Sequence, residues 1–159
     1  LIIRTHHITS NLKNLRGKMQ IKFKKLNPDI KLPEYKTEKA SGMDFYCPID
    51  VTIPPKQTKQ IPLGIALEIP EGYELQIRGR SGWSLNSSYL AKIGTVDNDY
   101  RGEICAIIHN LNTVGSIKFS KNDRLVQGVI QKVEKAVLTE VEELSITERN
   151  HNGFGHTGE

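Results

Sequence analysis

The chain has 159 residues, which is enough for one domain with a hydrophobic core, and a net charge of +4. All four charged side chains of the first 18 residues are basic, so 18 basic residues (22 − 4) face 18 acidic residues in the remaining chain. This balance predicts no nucleic-acid partner, because a polyanion needs a basic surface. No apolar run approaches the roughly 20 residues that span a bilayer, so no membrane association is predicted.

The two cysteines, Cys47 and Cys105, lie far apart in the sequence. They lack the close spacing of a zinc site or a redox pair, so they are predicted to be packed free thiols rather than a disulfide. An intracellular location is therefore expected, cytoplasmic by default, with a nuclear or organellar one left open.

Residues 1–18 contain no acidic residue and precede a plausible initiator at Met19. They are predicted to lie outside the fold as a disordered extension. A targeting segment, translated upstream sequence and an artificial extension are the alternatives. The β domain is then expected over residues 19–148, followed by a flexible C-terminal arm over residues 149–159.

Short apolar or alternating segments with Pro and Gly between them predict many brief strands. These strands are expected at 20–24, from Asp44 into the aromatic residues after it, at 51–53, 58–61, 65–69, 73–78, 116–119, 123–131 and 137–141. Ser81 is predicted to be the N-cap of one short helix. The pattern is typical of an all-β sandwich, jelly roll or barrel.

The stretch Gly94–Glu103 is predicted to be a β-hairpin whose turn carries Asp97 and Asp99. It is entered from the apolar residues 90–93 and left through the alternating residues 103–108. The turn would expose backbone N–H and C=O groups that can read the edge of a flat ligand. The alternative is an ordinary solvated turn, since Asp, Asn and Gly are common turn formers.

Other polar residues stand out against this pattern. Small residues before Asp44 indicate a close-packed turn into a strand. The alternative is that the Asp44 side chain only bonds the backbone of its own turn. Arg78 and Arg80 flank the expected helix start and suggest an anion site, or else two solvated arginines. Gln127 falls within an apolar run, where its amide needs hydrogen-bond partners.

The last eleven residues contain three Gly and two Asn, which excludes regular structure. A frayed tail is one interpretation. The other is a mobile arm that lays the ring of Phe154 on a base and brings donors to a phosphate chain.

In order and spacing, these stretches resemble the five motifs of the homotrimeric dUTPase family, the deoxyuridine triphosphate nucleotidohydrolases. The motifs are Ala40–Asp44, Arg80–Gly82, Gly94–Glu103, Arg124–Gln127 and Arg149–Gly158. The resemblance covers roughly residues 19 to 158. It implies a jelly-roll-like β subunit and a homotrimer with active sites shared between subunits. It also implies hydrolysis of dUTP to dUMP and pyrophosphate, which limits uracil incorporation into DNA and supplies dUMP for dTMP synthesis.

The resemblance also implies roles by matching position. Asp97 resembles the general base that activates water for attack on the α-phosphorus, and Tyr100 resembles the residue beneath the deoxyribose. The backbone of residues 94–103, including Gly94, Thr95 and Val96, would read uracil.

The remaining implied roles concern the phosphates and the arm. The phosphate-binding residues would be Arg80, Ser81, Gly82 and Gln127. Arg149 would hold the γ-phosphate and Phe154 would cover uracil, with Gly155, His156 and Thr157 beside it. Asp44, Asp99 and Arg101 would support the site. Mg²⁺ would be held mainly by the triphosphate and water.

The chain departs from the usual family pattern in two motifs. The second motif usually opens with Pro and continues with Leu-Ala, where this chain has Gly79 and Trp83-Ser84. In the arm, Asn150 and Asn152 stand where Gly is usual, and His156 stands where Ser is usual. Asn tolerates the backbone angles of Gly better than most residues, so arm closure is still expected.

Two other functions fit the sequence less well. A dCTP deaminase shares the fold but usually carries Arg-Ser-Ser where this chain has Arg80-Ser81-Gly82. A catalytically silent nucleotide-binding protein is disfavoured because the residues that match the catalytic and binding motifs are all present. These are Asp97, Tyr100, Gln127, Arg149 and Phe154.

Overall fold

The computed structural model describes residues 19–86 and 88–153. Within these ranges the elements are β1 (Lys22–Lys25), β2 (Met43–Tyr46), β3 (Val51–Ile53), β4 (Thr58–Pro62), β5 (Ile65–Glu68), β6 (Tyr73–Arg78), α1 (Ser81–Asn86), β7 (Tyr89–Ala91), β8 (Gly94–Val96), β9 (Cys105–Asn110), β10 (Ile117–Phe119) and β11 (Arg124–Lys132). No helix in the described ranges is long and apolar enough to cross a bilayer.

The strands follow the alternation of apolar and polar residues. In β3, Val51 and Ile53 are buried while the residue between them is exposed, and β10 has the same pattern. The two strands pair antiparallel with Ile117 opposite Ile53 and Phe119 opposite Val51. The buried side chains therefore share one face, as expected for a strand with one side on the core.

The fold is built on two larger antiparallel sheets. One has the order β2-β11-β6-β8 and the other the order β4-β9-β7, while β1 pairs with β5 and β10 with β3. Side chains from both larger sheets, such as Leu75, Leu125 and Ile108, belong to one buried cluster. This arrangement confirms the predicted all-β, jelly-roll-like sandwich with one short helix.

The helix begins one residue away from the predicted position. The Ser84 N–H donates to the Arg80 carbonyl (3.1 Å), so Arg80 accepts the first helical bond and occupies the cap position. Ser81 is the first helical residue, and its prediction as the N-cap was wrong by one position.

The predicted hairpin at Gly94–Glu103 is only partly correct. The flanking strands β7 and β9 do pair antiparallel, with Ala91 opposite Ile108. The connection between them is not a simple turn, because it contains β8, which pairs with β6 in the other sheet through Thr95 and Gln76. A connection of this length has room for a strand of its own, which a tight hairpin turn does not.

The strand predicted at 137–141 is absent from the structure. Val137 and Leu138 are more than nine-tenths exposed, at 91% and 94%. An apolar alternating segment becomes a strand only beside a partner strand, and the described part of the chain provides none for this segment. Val133 is still bonded to the β domain through the Gly72 carbonyl (2.8 Å), and residues 134–148 are all exposed.

A glycine in β11 gives a direct test of the core packing. A Cβ added at Gly128 would lie 2.5 Å from Phe45 Cε2 and 2.8 Å from Leu75 Cδ1. We expect Gly128→Ala to lower the free energy of unfolding by about 1–3 kcal/mol, because the core must shift to admit the methyl group. Urea denaturation measures this change, with Lys132→Ala at the exposed end of the same strand as the control. Equal stabilities for the two variants would contradict the packing described.

Candidate active site

Three of the five predicted motifs meet around one buried carboxylate. Asp44 in β2 is 8% exposed. Its Oδ1 accepts a hydrogen bond from Arg80 Nε (2.9 Å), and its Oδ2 accepts one from an Arg124 guanidinium nitrogen (3.3 Å). The two arginines provide the pairing that a buried charge requires. Asp44 therefore bonds other motifs rather than its own turn.

Gln127 joins the same group of residues. Strand pairing sets Gln127 opposite Asp44 on one side and opposite Arg78 on the other. Its amide nitrogen donates to the Gly79 carbonyl (3.0 Å), which meets the predicted need for partners. A Cβ added at Gly42 would lie only 2.9 Å from Gln127 Oε1, so the small residue of the first motif leaves room for this amide.

The two arginines flanking the helix start differ in their contacts. Arg80 binds Asp44, as described, while the Arg78 guanidinium donates to Gln76 Oε1 at 3.2 and 2.6 Å, back along β6. Ser81 and Gly82, at the start of α1, are exposed. The exposed edge of this group is therefore formed by Arg80, Ser81 and Gly82.

The third motif forms a well-bonded turn after β8. Asp97 and Asp99 are exposed. The Tyr100 N–H donates to the Asp97 carbonyl (3.2 Å), and the Tyr100 hydroxyl donates to the Glu103 carbonyl (3.1 Å). Arg101 donates to the carbonyls of Asn98 (2.6 Å) and Tyr100 (3.0 Å). These bonds hold the carboxyl of Asp97 and the ring of Tyr100 on a fixed backbone.

The strand before this turn has one unpaired side. Gly94, Thr95 and Val96 pair with β6, and β8 is the edge of its sheet. An edge strand presents a row of backbone N–H and C=O groups that no neighbouring strand uses. The use of these groups to read a flat ligand stays a prediction.

The third motif lies far from the other three within one chain. Gly94 lies opposite Ile77, and β8 then runs back along β6, so that Val96 lies opposite Leu75. Asp97 follows at the level of Glu74, four residues from Arg78, which is roughly 13 Å along an extended strand. Arg80 lies beyond Arg78 in the opposite direction. The structure therefore brings Asp44, Arg80 and Gln127 together but does not bring Asp97 to them.

The start of the arm folds on itself. Arg149 Nε donates to the Asn152 carbonyl (3.0 Å), and the Asn152 N–H donates to the Arg149 carbonyl (3.1 Å). Asn150 has a φ of 48°, the left-handed conformation that Gly adopts readily and Asn tolerates. The predicted arm residues Phe154, Gly155, His156 and Thr157 lie outside the described residues.

Comparison with known proteins agrees with this architecture. A family model described as dUTPase matches residues 28–158. The chain belongs to the dUTPase family.

Curated members of the dUTPase family resemble most of the chain. It is 45% identical over 142 residues to the deoxyuridine 5'-triphosphate nucleotidohydrolase of Helicobacter pylori (strain P12), with 88% of this chain and 97% of that protein covered. The enzyme of the same name from Caldanaerobacter subterraneus subsp. tengcongensis is 48% identical over 134 residues, covering 82% of this chain and 90% of its own length.

A solved dUTPase has the same fold. The Staphylococcus bacteriophage 80alpha dUTPase with dUPNHPP superposes with a TM-score of 0.85 at 26% identity, covering 89% of this chain and 99% of that one. The predicted dUTPase family and all-β fold are confirmed. As a dUTPase, this chain hydrolyses dUTP to dUMP and pyrophosphate.

Sequence reasoning missed one residue at this dUTPase site. Glu34 pairs through its backbone with Asp44, and its side chain accepts hydrogen bonds from Tyr46, Lys36 (2.5 Å) and Lys31 (3.2 Å). Hydrogen bonds from Lys36, then from Tyr46 and Lys31, lower the pKa of the Glu34 carboxyl to about 2. The link around Pro33 is thus held beside Asp44. The signal for this in the sequence is the pair of lysines, Lys31 and Lys36, on either side of Glu34.

Proposed function

We propose that this dUTPase works as a homotrimer in which each active site combines the phosphate-binding group of one chain with the third motif of another. The phosphate-binding group is Arg80, Ser81, Gly82 and Gln127, together with Asp44 and Arg124, which hold Arg80 in place. The observation that carries the proposal is the separation of Asp97 from Asp44, Arg80 and Gln127 along the sheet. A site for a single dUTP needs both groups within the length of one nucleotide. A neighbouring copy supplies the missing group without any change in the fold of either chain.

In the proposed mechanism, Asp97 accepts a proton from water as the water oxygen attacks the α-phosphorus. The new P–O bond forms as the bond from the α-phosphorus to the bridging oxygen breaks, and pyrophosphate leaves with that electron pair. Asp97 suits this role because its carboxyl is exposed while its backbone is held by Tyr100. A positioned general base typically contributes about 10²–10⁴-fold to the rate.

The phosphate-binding group is proposed to neutralise the triphosphate. Arg80 and Arg124 both bind one carboxylate, that of Asp44, so the pair retains a net positive charge beside the exposed Ser81 and Gly82. Charge of this kind lowers the repulsion that the phosphoryl oxygens exert on an incoming water. In this proposal Gln127 approaches the phosphates from the middle of the sheet.

The nucleoside is proposed to lie along β8. The unpaired backbone groups of Gly94, Thr95 and Val96 would read the uracil edge, and the ring of Tyr100 would lie beneath the deoxyribose. A Cβ added at Gly102 would overlap the Tyr100 ring, so this glycine leaves the ring its place. Asp99 and Arg101 belong to the same turn and would keep its shape.

The arm is proposed to close over a site that a neighbouring chain helps to form. The exposed apolar segment that precedes it supports contact with a second copy, since Val137, Leu138 and Leu144 are each at least 85% exposed. An apolar groove of about 460 Å³ lined by Met19, Phe23 and Tyr35 among others offers a surface for such a copy. Arg149 would then bind the γ-phosphate, and Phe154 with the residues Gly155, His156 and Thr157 would cover the nucleotide.

Mg²⁺ is proposed as the cofactor, held mainly by the triphosphate and water. Near the phosphate-binding group, Asp44 is the buried carboxylate, and both its oxygens are bonded to arginines. This arrangement fits an ion that enters with the substrate, because Mg²⁺ keeps several waters and commonly binds through substrate phosphates. When bound, the ion would neutralise part of the charge on the phosphate chain.

Pyrophosphate release from dUTP tests the proposal, measured with and without Mg²⁺. We expect hydrolysis of dUTP that falls sharply when EDTA removes divalent ions, and little hydrolysis of UTP, whose extra hydroxyl would meet Tyr100. Ammonia released during incubation with dCTP is measured as well, because ammonia is the product of a deaminase. Ammonia release, equal rates on UTP and dUTP, or full activity in EDTA would each contradict one part of the proposal.

A further inference from the structure

We propose that Trp83 is a positioning residue that holds α1, and with it the phosphate-binding motif, against a bulge in β11. The inference rests on the roles proposed above for Arg80 and Gln127. Its first support is that α1 has six residues, which is too short for a helix to persist without tertiary contacts. Among residues 81–85, Trp83 is the one side chain that is not exposed, and Leu85 is 85% exposed.

The indole of Trp83 lies on two buried aromatic rings. Its centroid is 4.7 Å from that of Phe119 in an edge-to-face arrangement and 6.2 Å from that of Tyr89. Phe119 and Tyr89 also contact each other, at 5.9 Å. Aromatic pairs at such distances contribute beyond the area that they bury. We call Trp83, Tyr89 and Phe119 the aromatic seat of α1.

The hydrogen-bond donors of Trp83 and Tyr89 bind the backbone of β11 at the point where the pairing of that strand is irregular. The register between β11 and β2 shifts between Arg124 and Val126. Trp83 Nε1 donates to the Arg124 carbonyl (3.0 Å), and the Tyr89 hydroxyl donates to the next carbonyl, that of Leu125 (2.8 Å). A bulge disrupts the ladder locally, so side-chain donors can bind backbone carbonyls that the ladder does not use, and the bond to Leu125 is buried. Burial raises the pKa of the Tyr89 phenol, which keeps this donor protonated.

The bulge lies between the arginine and the glutamine of the fourth motif. Arg80 also donates to the Arg124 carbonyl (3.3 Å), so the indole and the guanidinium share one acceptor. Movement of α1 away from the bulge would therefore change the position of Arg80 relative to Gln127. A leucine at this position, where the sequence departs from the usual family pattern, would have no N–H for this bond.

Trp83→Phe tests the inference because it keeps a ring on Phe119 and removes the N–H donor. We expect KM for dUTP to rise about three- to tenfold, as for loss of one hydrogen bond that positions a binding group. Affinity for a non-hydrolysable dUTP analogue should fall more than affinity for dUMP, since dUMP lacks most of the phosphate chain that the motif is proposed to bind. Tyr89→Phe should shift the same ratio in the same direction. Leu85→Ala, on the exposed face of α1, is the matched control and should change neither.

A purely structural role would lower the melting temperature without changing the ratio of the two affinities. That result in both Trp83→Phe and Tyr89→Phe would overturn the inference, and so would equal weakening of analogue and dUMP. Arg80→Ala is measured in parallel. If Arg80→Ala also leaves analogue binding unchanged, the proposed function of the phosphate-binding group is what fails. If Arg80→Ala weakens it and the aromatic variants do not, only the positioning role of Trp83 is lost.

Discussion

Asp97→Asn is expected to retain the fold and dUTP binding while turnover falls about 10²- to 10⁴-fold, because an amide of nearly the same shape cannot accept the proton of water. The side chain is exposed on a turn that is held by backbone bonds, so the substitution removes no packing. Single-turnover hydrolysis of dUTP measures the chemical step, and binding of a non-hydrolysable analogue measures affinity.

Glu71→Gln provides the matched control for this variant. Glu71 is an exposed carboxyl that lines the same surface groove as Asp97. Glu71→Gln removes the same negative charge as Asp97→Asn, so any effect of charge alone on substrate approach appears in both variants. Retention by Asp97→Asn of more than a tenth of wild-type turnover would remove Asp97 from the role of base.

Deletion of residues 149–159 is expected to reduce turnover at least about 100-fold, because the arm's donors to phosphate form charge-assisted hydrogen bonds of about 1.5–3 kcal/mol each. The melting temperature should hardly change. Arg149 is exposed, and among the described residues its hydrogen bonds are with Asn152 of the arm itself.

The point variant Arg149→Gln separates the arginine from the rest of the arm. It should lose part of the activity that the deletion loses, chiefly through a higher KM for dUTP. Thermal melting of each variant checks that the β domain is intact. A deleted protein with nearly wild-type kcat/KM would show that the arm has no part in catalysis.

Much of the fold could be predicted because burial alternates along the strands and Pro or Gly separates them. Val51–Ile53 and Tyr73–Arg78 were predicted with the observed bounds. In both strands the apolar side chains face the core, so the local pattern and the tertiary environment agree.

The predictions that failed depend on partners distant in sequence. Gly94–Val96 pairs with β6 in the other sheet, which no turn signal near Gly94 reveals. The apolar pattern at 137–141 resembles a strand, but a strand forms only where an edge is available. Local periodicity says which residues prefer burial and leaves their partners undetermined.

The candidate site, like the fold, could be predicted from the sequence only in part. Residue types and motif order predicted roles for Asp97, Arg80 and Gln127, because a phosphoryl centre needs cations and a carboxylate. Strand register was needed to see that Asp97 lies apart from the other two. The seat of Trp83 depended on a bulge that only the pairing of β11 reveals.

The most direct test of the shared site is subunit exchange between Asp97→Asn and Arg80→Ala, each nearly inactive alone. If each site takes its base from one chain and its phosphate-binding group from the next, every mixed trimer contains one intact site. Random exchange of equal amounts gives about three quarters mixed trimers. Because one of the three sites in each mixed trimer is intact, about one quarter of wild-type activity should return. Heterotrimers verified by mass spectrometry that hydrolyse no more dUTP than the parent variants would contradict the shared site.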